Sequence, residues 1–170
     1  MLLTLKSAGD GATVSSRGLV DSLARGLSRA TPTMDRRKFL RRSGLGVGAG
    51  VEGVQFDARG FVSEGSRSSL AWVEGGVLHV PAEITDRLPG TALGQLLRCA
   101  GLPVREVAAG VPHRADAILV LRSTLPGGAA AVSRWDDASG RPLWSGDPAA
   151  ARPLLTALAA WRTQRCVSLL

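Results

Sequence analysis

The run Ala117-Ile-Leu-Val-Leu121 is apolar at every position. No other feature constrains the fold as much. A strand without a polar face has to be covered on both sides, which places it in the middle of a sheet. Two helical patterns can supply cover. Thr91 to Ala100 carries Leu93, Leu96, Leu97 and Ala100 on one stripe, and Gly101 is its terminator. Asp147-Pro148 opens a last helix, with Asp147 as cap. It runs to about Arg165 and buries Leu154, Leu155, Leu158 and Trp161. A chain of 170 residues has room for one such core. The expectation is a single α/β domain over residues 51–170.

The remaining strands come in pairs. Val54 to Phe56 and Phe61 to Ser63 flank the turn Asp57-Ala-Arg-Gly60. Leu70 to Val73 and Val77 to Val80 flank Glu74-Gly75-Gly76, a hairpin signal. Val104 to Val107 reads as a strand. Ala129 to Trp135 and Arg141 to Trp144 form a second hairpin around Asp136-Asp-Ala-Ser-Gly140. No internal repeat is present.

Residues 1–50 have a different character. They hold nine Lys or Arg against three Asp, whereas residues 51–170 hold twelve Arg against eleven acids. The net charge of +7 therefore belongs to a basic N-terminal arm, flexible or helical, and says little about the domain. Aromatic residues are not interleaved with the Arg36–Arg42 cluster, which argues against nucleic acid as a partner. Gly18 to Ser28 is a short amphipathic stretch. The alternating Gly44, Gly46, Gly48 and Gly50 follow no strand and make a poor phosphate loop. Cys99 and Cys166 lack metal-type spacing and read as buried free thiols. No apolar run approaches the ~20 residues of a membrane span. No G-x-S-x-G elbow accompanies His79 or His113.

The segment Asp57-Ala-Arg-Gly-Phe-Val-Ser-Glu64-Gly-Ser66, followed by the Leu70–Val80 hairpin and Leu88-Pro-Gly-Thr91, resembles the cofactor half of class IV aminotransferases and aminodeoxychorismate lyases. The resemblance implies a mixed-sheet domain like the C-terminal domain of fold-type IV pyridoxal-phosphate enzymes. It implies pyridoxal phosphate as cofactor, with Glu64 near the pyridine nitrogen, where a carboxylate keeps the ring protonated. It also implies phosphate contacts at Thr91 and Ala92, through backbone N–H groups of a helix start, and at Ser123 and Thr124 in the loop after the central strand. The chain departs from the family pattern in several places. Ala92 and Leu93 stand where the family has a hydroxyl residue and an arginine, and Ser68-Ser69 stands for its Ser-Asn.

In that family a lysine forms a Schiff base with the cofactor. Its expected position lands near Thr31 here, and the chain has only Lys6 and Lys38. The expectation is a partial class IV protein, a pseudoenzyme without turnover and with no catalytic residue to assign. The alternative is an active aminotransferase or lyase that uses Lys38 or a partner chain's lysine. A complete member has a further domain, so the expected partner is a second copy or the missing N-terminal domain, and a gene fragment or fusion junction near Gly50 is implied.

Asp35-Arg-Arg-Lys-Phe-Leu-Arg-Arg42, with the Gly-rich run to Gly50, resembles a twin-arginine export signal of the kind seen before formate dehydrogenase large subunits. Glu52 interrupts its apolar segment, and no Ala-x-Ala-like cleavage site follows. A cytoplasmic location is expected. Recognition by the twin-arginine translocase is the alternative if the leader works.

Overall fold

The computed structural model describes residues 2–5 and 50–167. The Gly18–Ser28 stretch, Lys6, Lys38 and the Asp35–Arg42 motif lie outside the described residues. Among the described residues nine strands form the sheet: Leu2–Leu5 (β1), Gly50–Phe56 (β2), Val62–Gly65 (β3), Ser69–Glu74 (β4), Val77–Pro81 (β5), Val104–Val107 (β6), Ala117–Leu121 (β7), Ala129–Asp136 (β8) and Pro142–Ser145 (β9). Thr91–Cys99 is helix α1 and Arg152–Val167 is helix α2.

The strand order is β3-β2-β1-β8-β7-β4-β5-β6, and β9 adds to β8. Neighbours are antiparallel except β5 and β6, which are parallel. The sheet is therefore mixed, as expected. The parallel pair follows from the connection, because α1 carries the chain back across the sheet between β5 and β6.

Strand β7 is buried at all five positions and lies between β8 and β4. Its side chains alternate between two clusters. Ala117, Leu119 and Leu121 pack with Leu93 and Leu96 of α1 and with Leu154 and Leu158 of α2. Ile118 and Val120 face the other way, among Leu70, Trp72, Val132, Trp135, Val54 and Val62. Residues from β2 and β3 thus share a cluster with residues from β4 and β7, so the sheet coils over itself and covers the face that no helix covers. Phe56 leans on Trp135 at 6.4 Å between ring centres.

Local chemistry accounts for the hairpins. Glu74 pairs with Val77, leaving Gly75-Gly76 as a two-residue loop. Both glycines have positive φ (58° and 76°), which a primed turn demands and a side chain would resist. In the β8–β9 loop, Asp137 Oδ1 accepts from Ser139 N–H (2.8 Å), Ser139 Oγ (2.6 Å) and Arg141 N–H (3.0 Å). These bonds, the Ser139 hydroxyl above all, lower the carboxyl to about 2.

Two elements and two side chains differ from the sequence reading. Leu2–Leu5, which that reading leaves in the arm, is a strand between β2 and β8, with Leu3 opposite both Glu52 and Trp135. Four residues are too few for a periodicity to register, and the partners lie far along the chain. The last helix begins later than expected. Asp147 does accept the N–H of Ala149, but it caps a 3-10 turn, Pro148–Ala151, ahead of α2. Trp161 is only half-buried, and the Arg165 guanidinium sits 5.2 Å above its ring. Cys99 is likewise half-buried. Its thiol is a neighbour of the Gln95 carbonyl oxygen at 3.3 Å, and burial pushes its pKa up.

The two-sided burial of β7 predicts that Leu119→Ala costs about 2–5 kcal/mol in denaturant unfolding, while Ile84→Ala, at a site 65% exposed, changes stability by less than about 0.5 kcal/mol. The folded pKa of Asp137 is depressed, so its contribution to stability is complete above about 3.8 and is lost as pH falls through about 2. A carboxyl NMR titration should show this pKa rising in Ser139→Ala.

Candidate functional site

The register brings several strand ends together. β1 runs antiparallel to β8 and leaves at Leu5 towards the end where β8 begins. β7 ends there too, because Leu121 pairs with Ala129. β3 runs antiparallel to β2 and so points towards the start of β2, ending with Gly65 opposite Val54, and Ser69 starts β4 opposite Leu121. Beyond this sheet end lies a cleft of about 290 Å³. Its walls are the loop Glu64–Ser69, Leu88 with the start of α1, and Leu121–Ser123.

Glu64 sits in β3 one residue before its end, 8% exposed, and its Oε2 accepts the backbone N–H of Leu88 at 3.3 Å. That bond ties the carboxylate to the segment leading into α1. Helix α1 opens at Gly90, which is extended and carries no side-chain cap. Thr91 and Ala92, the first two residues of α1, line the cleft. Uncapped N–H groups and the helix dipole make such an end attractive to an anion. A Cβ at position 90 would stand 2.1 Å from Ser69 Oγ, so a side chain there would push the Ser69 hydroxyl out of its place against the helix start.

Of the five residues singled out from the sequence, Glu64, Thr91, Ala92 and Ser123 line this cleft. Thr124 does not line it. It is an exposed residue of the turn after β7. The sequence offers two adjacent hydroxyl residues; the turn admits one of them to the cleft.

Four residues of the site escape the sequence reading. Ser66 Oγ, Arg67 Nε and Arg122 Nε are buried without a hydrogen-bond partner, and all three residues line the cleft. Among the described residues only six side-chain polar atoms are in that state, so half of them gather at one place. Such atoms are costly unless a ligand or water satisfies them. The fourth is Glu52, 3% exposed on β2. Its Oε1 accepts from Arg67 N–H (2.8 Å) and Ser68 Oγ (2.8 Å), which pins the loop that follows Glu64. The signal for Glu52 was visible as a lone carboxylate in the apolar run Val51–Val54, but it read as an interruption of a leader.

A larger hollow of about 470 Å³ lies between His113–Ala115 and Pro142–Ser145. Two of its polar groups are already partnered. His113 Nδ1 is 2.9 Å from the Leu143 carbonyl oxygen, and Trp144 Nε1 donates to the Ala115 carbonyl at 2.9 Å. The smaller cleft is the better site because its donors are not satisfied. Among the described residues no group of three His, Cys, Asp or Glu could hold a metal ion, and no helix is long and apolar enough to cross a membrane.

A coiled mixed sheet with helices packed on one face, and a carboxylate and an uncapped helix start sharing a cleft, defines a mixed α/β domain. The family model for amino-transferase class IV matches residues 23–131, and the chain belongs to that family. No curated protein sequence matches it. Solved structures with the same fold include a Thermotoga maritima protein assigned as a branched-chain amino acid aminotransferase, at 20% identity and TM-score 0.57 over 79% of this chain and 51% of that one. The Escherichia coli branched-chain amino acid aminotransferase matches at 25% identity and TM-score 0.51, over 74% of this chain and 46% of that one. The T.th. branched-chain amino acid aminotransferase matches at 26% identity and TM-score 0.53, over 66% and 38%. It has also been solved with pyridoxamine 5'-phosphate. The chain spans about half the length of these proteins or less.

Glu52→Ala leaves two loop donors without an acceptor and should cost about 1–3 kcal/mol. Hydrogen exchange at the Arg67 amide should speed up well beyond that of the β7 amides. Equal acceleration across the sheet would mean that Glu52 supports the fold as a whole and not this loop.

Proposed function

We propose that the chain holds pyridoxal 5'-phosphate in the cleft at the ends of β3 and β7, as the cofactor-binding part of a class IV aminotransferase-type site. The observation that carries this reading is the meeting of buried Glu64, the uncapped start of α1 and unpartnered Ser66 and Arg122 on one cleft. The donor set fits the group. Glu64 would hold the proton on the ring nitrogen. The N–H groups of Thr91 and Ala92 and the Ser123 hydroxyl would hold the phosphate, and Leu88, 56% exposed, offers an apolar wall. When bound, pyridoxal phosphate supplies an aldehyde that an amine captures and a ring that withdraws electrons from adjoining bonds. The T.th. relative solved with pyridoxamine 5'-phosphate supports the choice of ligand.

Turnover depends on an amine. The family position falls near Thr31, which favours a protein that binds the cofactor without turnover. The register of β1 favours a second reading. Lys6 is the residue after Leu5, and β1 leaves the sheet at the cleft end. On this reading the stretch between Lys6 and Glu64 is longer than the family spacing, and the chain, alone or with a second copy, carries transaminase or lyase chemistry. The family match begins at residue 23 and so includes Arg36–Arg42. That favours a segment internal to the family domain, in a cytoplasmic protein, over an export leader.

One experiment separates these readings. The protein is mixed with pyridoxal phosphate, reduced with borohydride and mapped by peptide mass. Binding should weaken roughly tenfold in Glu64→Gln, from loss of a charged partner. A reduced adduct on Lys6, absent in Lys6→Ala and kept in Lys38→Ala, establishes the Lys6 reading. Binding without adduct leaves the reading without turnover, and no binding at all sinks the cofactor assignment. Reporter export lost in Arg36→Lys/Arg37→Lys would restore the leader.

A further inference from the structure

We propose that Arg122 is the phosphate-binding cation of this cleft, acting with Ser66, Ser123 and the start of α1 on a tetrahedral dianion. The identity of the ligand rests on the cofactor reading; the subsite itself needs only a phosphate monoester or free phosphate.

The first turn of α1 supplies no cation. It reads Thr91-Ala92-Leu93-Gly94, and Leu93 is 1% exposed in the core. Its N-terminus offers N–H groups and a partial positive charge, which is a modest attraction without a full charge beside it. The full charge comes from another element. Arg122 follows the last residue of β7, lines the same cleft as Thr91 and Ala92, and its buried Nε has no partner. A guanidinium in that state is poised for an acceptor, and phosphate matches its planar fork. Ser66 is an independent sign. It is 6% exposed, its Oγ is unpartnered, and it lines the cleft from the loop after β3.

The platform under Arg122 is rigid. Arg122 N–H donates to the Gly128 carbonyl (2.9 Å), Leu125 N–H donates to the Arg122 carbonyl (3.0 Å), and Arg162 Nη2 of α2 donates to the Ser123 carbonyl (3.1 Å). The turn is closed on itself and fastened to a helix before any ligand arrives. A donor held this way loses little freedom on binding. Arg67, the other guanidinium of the cleft, belongs to the loop pinned by Glu52.

The test compares pyridoxal phosphate, pyridoxal and inorganic phosphate by calorimetry on the full chain. Wild type should bind pyridoxal phosphate about tenfold or more tightly than pyridoxal, and inorganic phosphate should compete with the former. Arg122→Gln should bring the two affinities together by weakening only the phosphorylated ligand. Arg122→Lys should recover part of the preference, and Arg67→Gln should keep it. Melting and near-ultraviolet circular dichroism verify that each variant is folded. If Arg122→Gln does not fold, Ser66→Ala takes its place and should reduce the preference. A folded Arg122→Gln with wild-type preference overturns the proposal, as does loss of preference in Arg67→Gln alone. A wild type that binds pyridoxal and pyridoxal phosphate equally overturns the subsite and leaves the cofactor reading standing. A wild type that binds neither sinks the cofactor reading. Inorganic phosphate then decides the subsite: binding that is lost in Arg122→Gln upholds it, and no binding overturns it.

Discussion

Everything in this domain is arranged around the burial of β7 on both faces. Five apolar residues in a row gain from burial only if two layers exist, and each layer then has a fixed place. The odd-numbered residues of the strand draw α1 and α2 onto one side. The even-numbered ones require cover where no helix is available, and the sheet provides it by coiling β2 and β3 over β4 and β7. A flat sheet with these strands would leave Ile118 and Val120 wet.

That coiling also makes the cleft. β1, β3 and β7 point to the same end of the sheet; the residues that follow β3 and β7 line one cleft there, and α1 begins on the same rim. Three kinds of group meet there from distant parts of the sequence: a carboxylate, a helix N-terminus and two guanidinium groups. Their mutual arrangement is held from behind. Glu52 fastens the loop after Glu64, and Arg162 fastens the turn after β7. Both supports use a charged side chain to fix a loop beside the cleft.

The chain spans about half the length of its structural relatives or less, and this bears on what the cleft can do. A binding half-site needs only the groups on the rim. Chemistry needs an amine that reaches the rim as well. The path of β1 matters for that reason, because it brings the N-terminal end of the chain into the middle of the sheet, beside the strands that carry the site.

Much of the secondary structure was legible because it rests on local rules. The Gly75-Gly76 hairpin needs two positive φ angles, the α1 stripe needs a spacing of three and four, and β7 needs only to be apolar throughout. Glu64, Thr91, Ala92 and Ser123 were legible by resemblance, since they stand in a recognisable order along the chain. Leu2–Leu5 was not legible, because a four-residue strand acquires its meaning from partners far along the chain. Nor was Glu52, whose carboxylate has a function only once the loop after Glu64 folds back onto β2. By itself the sequence determined most of the elements and the central strand, through short-range periodicity and turn chemistry, and it carried the class IV pattern in the order of its residues. Only the tertiary structure decided that Arg122 joins the cleft while Thr124 stays outside, and that Ser66 lies buried without a partner. Those outcomes depend on how a closed turn and a coiled sheet orient side chains, and no spacing along a chain encodes that directly.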